Sequence, residues 1–320
     1  MRIFVAGARG QLGEAFAENL AGGYDARLRD IPEIDLADSA AVSDAIERFR
    51  PEVILNCAAY TDVDGAEHHP IEALRVNALG VRALSAAATR VGATLIHFST
   101  DFVFDGRARA PYDEDDAPRP ESVYADSKLV GEDYARSTRR HYVLRLSSLF
   151  GGSARRSFVD RIIDAVSDGK PIDVFEDRFV SPSYTRHVVR AALSLVRAGA
   201  RFGVYHCTAT GYCSWLELAR EVERRLGTPA LARGIPCVTV PHKAVRPKFC
   251  ALSNARLRST GVEMPRWQSA LADSLGRPRT EPPPPTGRFL TAVSAEAGHT
   301  RLTIRVVVGA TAPSVARRTR

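Results

Sequence analysis

A glycine-rich turn follows directly after the first apolar segment of the chain. Gly7–Gly13 (GARGQLG) separates a predicted strand, Arg2–Ala6, from a predicted helix that begins at Gln11. Glycines in such a turn let the backbone bend tightly and approach a pyrophosphate, which then accepts hydrogen bonds from the helix N-terminus. The turn predicts a dinucleotide-binding βαβ unit; the alternative is a tight turn that binds no ligand.

Apolar and helix-like segments alternate through the first half of the chain. The predicted strands are Arg2–Ala6, Ala26–Arg29, Val53–Ala58, Thr94–Ser99 and Tyr142–Ser147, and the predicted helices are Gln11–Ala21, Ser39–Phe49, Ala66–Val91 and Lys128–Arg136. Strands separated by helices of this length form parallel sheets covered on both faces. We expect a Rossmann-like, doubly wound α/β domain over residues 1–150, with some later segments returning to it.

The second half has the same kinds of segment in a less regular order. Helices are predicted over Phe158–Ser167, Arg186–Val196, Ser214–Leu226 and Pro265–Leu275, and strands over Asp173–Phe175 and Gly203–Cys207. We expect residues 151–276 to form a smaller α/β substrate-binding region. A proline run, Pro282–Pro285, marks a change of composition, so residues 277–320 are predicted to be a disordered tail.

Charge and composition exclude several classes of protein. The net charge of +7 suggests nucleic-acid binding, but eight arginines and two glutamates lie from Arg277 onward, so the rest of the chain is nearly neutral. No segment is apolar enough for a membrane span, and the start of the chain does not resemble a signal peptide. We therefore expect a cytoplasmic protein that binds neither nucleic acid nor membrane. The five cysteines do not form C-x-x-C pairs, so no metal site is predicted.

Acidic residues after the second predicted strand are candidates for the adenine end of a dinucleotide. Asp30 is placed to bind the ribose hydroxyls. Arg27 and Arg29 flank it and could instead meet a 2′-phosphate, or all three could be exposed loop charges. Asp35-Leu36 could place a carboxylate and a backbone amide near the adenine.

Tyr124 and Lys128 stand four residues apart in a predicted helix, which places a phenol and an ammonium on one face. A nearby cation favours the phenolate, so we expect Lys128 to lower the pKa of Tyr124. Ser99-Thr100 ends a predicted buried strand, and the carboxyl ends of such strands line the ligand crevice. A hydroxyl, a phenol and a lysine beside a nicotinamide would make a carbonyl-reduction site.

These residues belong to a longer series of motifs that resembles the dTDP-4-dehydrorhamnose reductase family of extended short-chain dehydrogenases/reductases. The motifs are Gly7–Gly13 (GARGQLG), Asp35–Asp38 (DLAD), Asn56–Thr61 (NCAAYT), Val63–Glu67 (VDGAE), Val76-Asn77, Ser99–Gly106 (STDFVFDG), Pro111–Asp116 (PYDEDD), Tyr124–Glu132 (YADSKLVGE) and Arg246-Pro247. The resemblance covers residues 1 to about 276.

The resemblance implies an NADPH- or NADH-dependent reductase of a nucleotide-linked 4-keto-6-deoxy sugar. In the family, the proton donor would be Tyr124, with Lys128 holding the ribose and Thr100 bonding the substrate carbonyl. The cofactor would contact Gly7, Gly10, Gln11, Leu12, Gly13, Asp35, Leu36, Ala58, Ala59 and Tyr60, and Asp30 is added from the reasoning above. Asp101, Phe102 and Ser148 would border the substrate, and Asn77 is either a supporting polar residue or a packing one. A homodimer is a candidate assembly.

Three departures from the family pattern concern the sugar side. The family usually has Tyr where this chain has Phe102, and Trp where it has Ser148. A loop that often carries Gly before Pro-Thr reads Phe179–Ser183 (FVSPS) here. The resemblance therefore implies an intact cofactor side and an altered sugar pocket, with another 4-keto sugar nucleotide as substrate.

Other functions fit parts of the same pattern. A 4,6-dehydratase is disfavoured because Phe102 stands where that enzyme carries a glutamate. A nucleotide-sugar epimerase shares the Tyr and Lys, and a regulatory subunit resembling that of methionine adenosyltransferase would bind the dinucleotide without catalysis. The acidic run Asp113–Asp116 is predicted to be solvated.

Overall fold

The computed structural model describes residues 1–152, 157–240 and 242–276. The first half contains β1 (Arg2–Ala6), α1 (Gln11–Leu20), β2 (Asp25–Arg29), α2 (Ser39–Phe49), β3 (Val53–Asn56), α3 (Val63–His68), α4 (Pro70–Leu74), a π-helical turn (Arg75–Leu79), α5 (Gly80–Val91), β4 (Thr94–Thr100), α6 (Val123–Arg136) and β5 (His141–Leu146). The predicted tail, residues 277–320, lies outside the described residues.

The second half contributes shorter strands and four longer helices. Its elements are β6 (Leu149–Phe150), α7 (Phe158–Ser167), β7 (Ile172–Phe175), β8 (Phe179–Val180), β9 (Ser183–Tyr184), α8 (Thr185–Arg197), β10 (Gly203–His206), β11 (Cys213–Ser214), α9 (Trp215–Leu226), β12 (Ala232–Ile235), β13 (Phe249–Cys250), α10 (Ala255–Ser259) and α11 (Trp267–Leu275). Within the described residues, no helix is long and apolar enough to cross a membrane.

The central sheet has six parallel strands in the order β2-β1-β3-β4-β5-β10. Its alternating side chains fill a core on each face. Val5 and Leu55 pack with α1 and α8, whereas Phe4 and Ile54 pack with α2 and α5. The strand order changes direction between β1 and β3, and ligands of such sheets bind beyond the carboxyl ends of the strands at that point.

The second half builds a separate apolar cluster between α7, α9 and α11, beside small sheets formed by β11-β8-β13 and β7-β12. The edge strand β10 returns to the large sheet from this half. The described residues form one compact unit. The domain boundary at residue 150 stays a prediction.

The helix predicted over Ala66–Val91 is wrong as a single element. It begins earlier, at Val63, because the Asp62 side chain accepts a hydrogen bond from the Gly65 amide at 2.8 Å. It is then interrupted at Pro70, which has no amide hydrogen to donate and starts a new helix. A π-helical turn follows and contains Asn77; such turns are frequent at functional sites.

Candidate active site

The glycine turn brings the backbone of β1 against the segment after β3. Gly7 has a φ of +75°, and a Cβ atom there would lie 2.4 Å from the Ala58 nitrogen. A Cβ on Gly13 would lie 2.1 Å from the Gly7 carbonyl oxygen. Among the described residues, no side chain caps the N-terminus of α1 at Gly10, and helix N-termini of this kind bind anions. This geometry suits a pyrophosphate, and dinucleotide binding by these residues stays a prediction.

A second glycine turn, which sequence reasoning missed, packs against the first. The Gln11 side chain donates a 2.7 Å hydrogen bond to the Gly151 carbonyl oxygen. Gly151 and Gly152 have φ values of +88° and +94°, and a Cβ on Gly151 would meet the Tyr184 ring at 2.5 Å. The signal in the sequence is the Gly151-Gly152 pair, separated from the predicted strand Tyr142–Ser147 by Ser148, Leu149 and Phe150.

Asp30 closes the glycine turn from the side of β2. Its carboxylate accepts the Arg9 amide at 2.7 Å and the Ile31 amide at 2.8 Å. Arg27 lies over the Phe49 ring on α2, and the Arg29 guanidinium bonds the Leu28 carbonyl. Asp30 is thus beside the cradle, and its binding of ribose hydroxyls stays a prediction.

Asp35 and Leu36 follow β2 and form the outer border of the crevice. The Asp35 carboxylate pairs with Arg75 and accepts the Ala37 amide at 2.9 Å. The Leu36 side chain is buried against Gly80, where a Cβ would come within 2.9 Å of it. The side chain of Leu36 serves the core, which leaves its backbone for the predicted adenine contact.

Asn77 fixes the segment Ala58-Ala59-Tyr60 beside the glycine turn. Its amide oxygen accepts the Tyr60 amide at 2.9 Å, and its amide nitrogen donates to the Tyr60 carbonyl at 3.1 Å and to Ser127 Oγ at 2.9 Å. The side chain is fully buried. Of the two alternatives left by the sequence, the structure supports a polar support that joins the crevice to α6.

Helix α6 presents Tyr124 and Lys128 towards β4. The helix starts at Val123 because Ser122 Oγ accepts the Ala125 amide and the Glu67 carboxylate accepts the Val123 amide, at 3.3 Å and 2.9 Å. Lys128 is buried, and its ammonium donates to the Phe98 carbonyl at 2.7 Å. Burial lowers the pKa of Lys128 to about 8, with the charge of Glu132 acting in the opposite direction.

The expectation that Lys128 lowers the pKa of Tyr124 is wrong for this structure. The pKa of Tyr124 is raised to about 12, chiefly by burial; a hydrogen bond with the Thr100 hydroxyl opposes the rise, and the charge of Asp101 adds to it. The ammonium of Lys128 is instead directed at a backbone carbonyl of β4. The phenol therefore stays protonated at neutral pH.

Thr100 and Asp101 stand at the carboxyl end of β4. Thr100 Oγ1 donates to Asp101 Oδ1 at 3.1 Å and accepts the Phe102 amide at 3.2 Å. Asp101 is buried and also accepts a 2.7 Å hydrogen bond from Ser147 Oγ. Burial raises the pKa of Asp101, which the Ser147 hydrogen bond and the Arg178 charge oppose. The side chain of Asp101 is thus occupied by Thr100 and Ser147, and its predicted place at the border of the substrate stays a prediction.

Phe102 and Ser148 follow the carboxyl ends of the neighbouring strands β4 and β5. The Phe102 ring stands edge-on to Tyr124, with ring centres 5.9 Å apart. Its face is covered by the Arg178 guanidinium at 5.2 Å, a contact that the sequence did not predict. Ser148 has a φ of +47°, a left-handed conformation that is uncommon for serine and often marks functional sites.

Comparison with known proteins agrees with this arrangement. The family model described as "RmlD substrate binding domain" matches residues 1–279. The chain belongs to this family. It is 36% identical to a dTDP-4-dehydrorhamnose reductase of Mycobacterium tuberculosis, an alignment that covers 87% of this chain and 93% of the relative.

One further relative is named for a different sugar ketone, and one solved structure was determined with NADP. A probable dTDP-4,6-dihydroxy-2-methyloxan-3-one 4-ketoreductase of Streptomyces antibioticus is 34% identical, covering 90% of this chain and 99% of the relative. The crystal structure of a dTDP-4-dehydrorhamnose reductase of Bacillus anthracis in complex with NADP has a TM-score of 0.82 at 31% identity, covering 86% and 98% of the two chains. The predicted family and the Rossmann-like fold class are confirmed.

Two motifs of the family meet in a salt bridge at the rim of the crevice. The Arg246 guanidinium bonds both carboxylate oxygens of Asp64, at 2.8 Å and 2.7 Å. These bonds hold the pKa of Asp64 well below its usual range. Pro247 packs on Gly106, where a Cβ would come within 2.5 Å. Residues 242–248, called the strap below, are thereby fastened across the N-terminal half.

The sequence predicted that the acidic run Asp113–Asp116 is solvated. This prediction is wrong for Glu114. Glu114 accepts the His206 amide at 2.8 Å, and its side chain is buried beside Arg256. Tyr112 stacks on Phe104 with ring centres 4.2 Å apart.

Across the described residues, no group of three or more His, Cys, Asp or Glu side chains could hold a metal ion.

Proposed function

We propose that this protein reduces the C4 ketone of a nucleotide-linked 4-keto-6-deoxy sugar with NADPH or NADH. The observation that carries the proposal is the meeting of Thr100, Tyr124 and Lys128 at the carboxyl end of β4, in the same crevice as the glycine turn. The names of the relatives support a sugar-nucleotide ketone as substrate.

The glycine turn fits a dinucleotide. Gly7 and Gly13 leave no room for side chains, so the backbone of residues 7–13 is free to approach a pyrophosphate, and the first amides of α1 point towards it. Gly10, Gln11 and Leu12 would hold the pyrophosphate, Asp30 or Asp35-Leu36 the adenosine, and Ala58–Tyr60 the nicotinamide. The nicotinamide supplies the hydride when it is bound.

Tyr124 is the proposed proton donor. A reduction needs the neutral phenol, and the raised pKa of Tyr124 keeps the proton in place until the carbonyl oxygen gains negative charge. Thr100 lies beside the phenol and can bond the same oxygen. Lys128 is held against β4 at the side of the crevice where the ribose would lie, and Asn77 keeps that wall in position.

The preferred sugar is proposed to differ from dehydrorhamnose. Phe102 lacks the hydroxyl of the usual tyrosine, and Ser148 replaces a tryptophan, so the pocket gains space and loses one polar contact. The two named activities of the relatives already differ in their sugars. A cytoplasmic location and a homodimer belong to the proposal as well.

Replacement of Tyr124 by phenylalanine tests the proposal. We expect turnover to fall by about 10²–10⁴-fold, since a positioned acid contributes that much, whereas the affinity for NADPH should persist. Tyr212→Phe, a change at an exposed tyrosine outside the crevice, is the matched control. Near-normal turnover in Tyr124→Phe would exclude the assignment.

A further inference from the structure

Arg178 is a buried cation beside the candidate active site. Its residue is only 7% exposed, and within the described residues no carboxylate lies at ion-pair distance from its guanidinium. Nε donates a 3.2 Å hydrogen bond to the Pro247 carbonyl of the strap. Its charge acts on Asp101, which is already bonded to Thr100 and Ser147, and the buried Cys250 thiol contacts both Asp101 and Arg178. A buried charge with so little compensation is costly unless a ligand supplies the missing anion.

His242 provides a second unpartnered group in the same region. Its ring nitrogen Nε2 is enclosed and has no hydrogen-bond partner among the described residues. The side chain lies in electrostatic range of Arg178, Arg246 and Asp64, and its ring contacts Phe175 at 5.8 Å. Arg246 is neutralised by Asp64, whereas Arg178 has no carboxylate at ion-pair distance among the described residues and His242 Nε2 has no hydrogen-bond partner among them.

The position of Arg178 relative to Tyr124 indicates which anion. The Phe102 ring contacts both groups: its centre lies 5.9 Å from that of the Tyr124 ring, with the two ring planes nearly perpendicular, and the guanidinium lies over its face at 5.2 Å. A sugar nucleotide has a comparable spacing, because one pyranose ring separates the C4 carbonyl from the diphosphate on C1. With the carbonyl at Tyr124 and the pyranose along Phe102, the diphosphate comes to Arg178.

We propose that Arg178, assisted by His242, binds the diphosphate of the sugar nucleotide. This inference rests on the proposed function for the identity of the substrate, and it adds the residues that hold the end remote from the reaction. A guanidinium suits this task because its N–H groups bond phosphate oxygens in pairs. The cation–π contact with Phe102 holds the Arg178 guanidinium in position before the ligand binds.

Nucleotide binding to the protein saturated with NADP⁺ is the test, with dTDP and UDP compared with dTMP and UMP by calorimetry. We expect Arg178→Gln to weaken binding of the preferred nucleoside diphosphate by about 10- to 100-fold, since a hydrogen bond to a charged group contributes that much. The affinity for the nucleoside monophosphate should fall less in Arg178→Gln. The diphosphate affinity of Arg178→Lys should lie between those of the wild type and Arg178→Gln. His242→Gln should cause a smaller loss for the diphosphate. Arg220→Gln, at an exposed arginine of α9, is the control.

Two outcomes would overturn the inference. One is an unchanged diphosphate affinity in Arg178→Gln, or no preference of the wild type for diphosphate over monophosphate. The other is a purely structural role, in which Arg178 only balances Asp101: the melting temperature of Arg178→Gln would then fall, Asp101→Asn would restore it, and nucleotide affinity would not depend on Arg178.

The binding assay does not require turnover. Loss of diphosphate affinity in a protein that fails to oxidise NADPH would leave this inference intact and contradict only the proposed reaction. Full reductase activity together with a diphosphate affinity that does not depend on Arg178 would support the proposed reaction and contradict this inference.

Discussion

The glycine turn after β1 and the wall formed by Phe102 and Arg178 border the same crevice but are built differently. The glycine turn is fixed by backbone contacts that admit no side chain at Gly7 or Gly13. The opposite wall is made of two side chains from separate segments of the chain, whose contact is between a ring and a guanidinium rather than between backbone atoms. This difference explains how a family can keep one cofactor and change its sugar.

The largest effect is expected on the backbone side. Gly7→Ala places a Cβ atom 2.4 Å from the Ala58 nitrogen at a φ of +75°, so the turn has to move. We expect loss of measurable NADPH binding and a lower melting temperature, since strain of this kind costs about 1–3 kcal/mol.

Gly22→Ala separates the effect of the positive φ from the effect of the close contact with Ala58. Gly22 has nearly the same φ, +76°, but no atom lies within 4 Å of an added Cβ. It should therefore lose some stability and keep its NADPH affinity. Equal damage in the two variants would mean that the close approach of Gly7 to Ala58 is unimportant.

A smaller effect is expected from restoring the family's aromatic residues on the sugar side. Phe102→Tyr with Ser148→Trp should raise kcat/KM for dTDP-4-dehydrorhamnose relative to other 4-keto sugars by about tenfold or more, because a buried ring contributes roughly 1–3 kcal/mol. The kinetics of both proteins on both substrates measure it, with Phe202→Tyr, at a partly exposed ring beside Tyr142, as control. If the wild type already prefers dTDP-4-dehydrorhamnose, Phe102 and Ser148 do not set specificity.

The smallest effect concerns the strap that joins the two sides. The pKa of Asp64 is lowered chiefly by its hydrogen bonds to Arg246, so the pair stabilises the fold above the ordinary carboxyl pKa of about 4 and loses that contribution as pH falls through the lower, folded-state value. The melting temperature of Asp64→Asn should lie below that of the wild type near neutral pH, and the gap should close in acid. Asp173→Asn, at the exposed pair with Arg233, should show a weaker trend. A gap that widens in acid would contradict this account.

The same difference decides what could be predicted from the sequence. Strands, the parallel sheet and the pyrophosphate cradle follow from local patterns, because glycine spacing and apolar runs act within a few residues. The Phe102–Arg178 contact joins residues 76 positions apart, and no local pattern announces it. The pKa of Tyr124 was predicted in the wrong direction because four-residue spacing reports a helix face but not burial, and burial decides that pKa.

The central claim, reduction of a nucleotide-linked 4-keto sugar, is tested most directly by incubating the protein with NADPH and a panel of 4-keto-6-deoxy sugar nucleotides that includes dTDP-4-dehydrorhamnose. NADPH consumption is followed, and the product is identified by NMR. The account predicts one NADPH consumed for each ketone converted into a 4-hydroxy sugar, with the best substrate other than dTDP-4-dehydrorhamnose. NADPH that binds but is not oxidised with any sugar of the panel, or a sugar that epimerises without NADPH consumption, would contradict it.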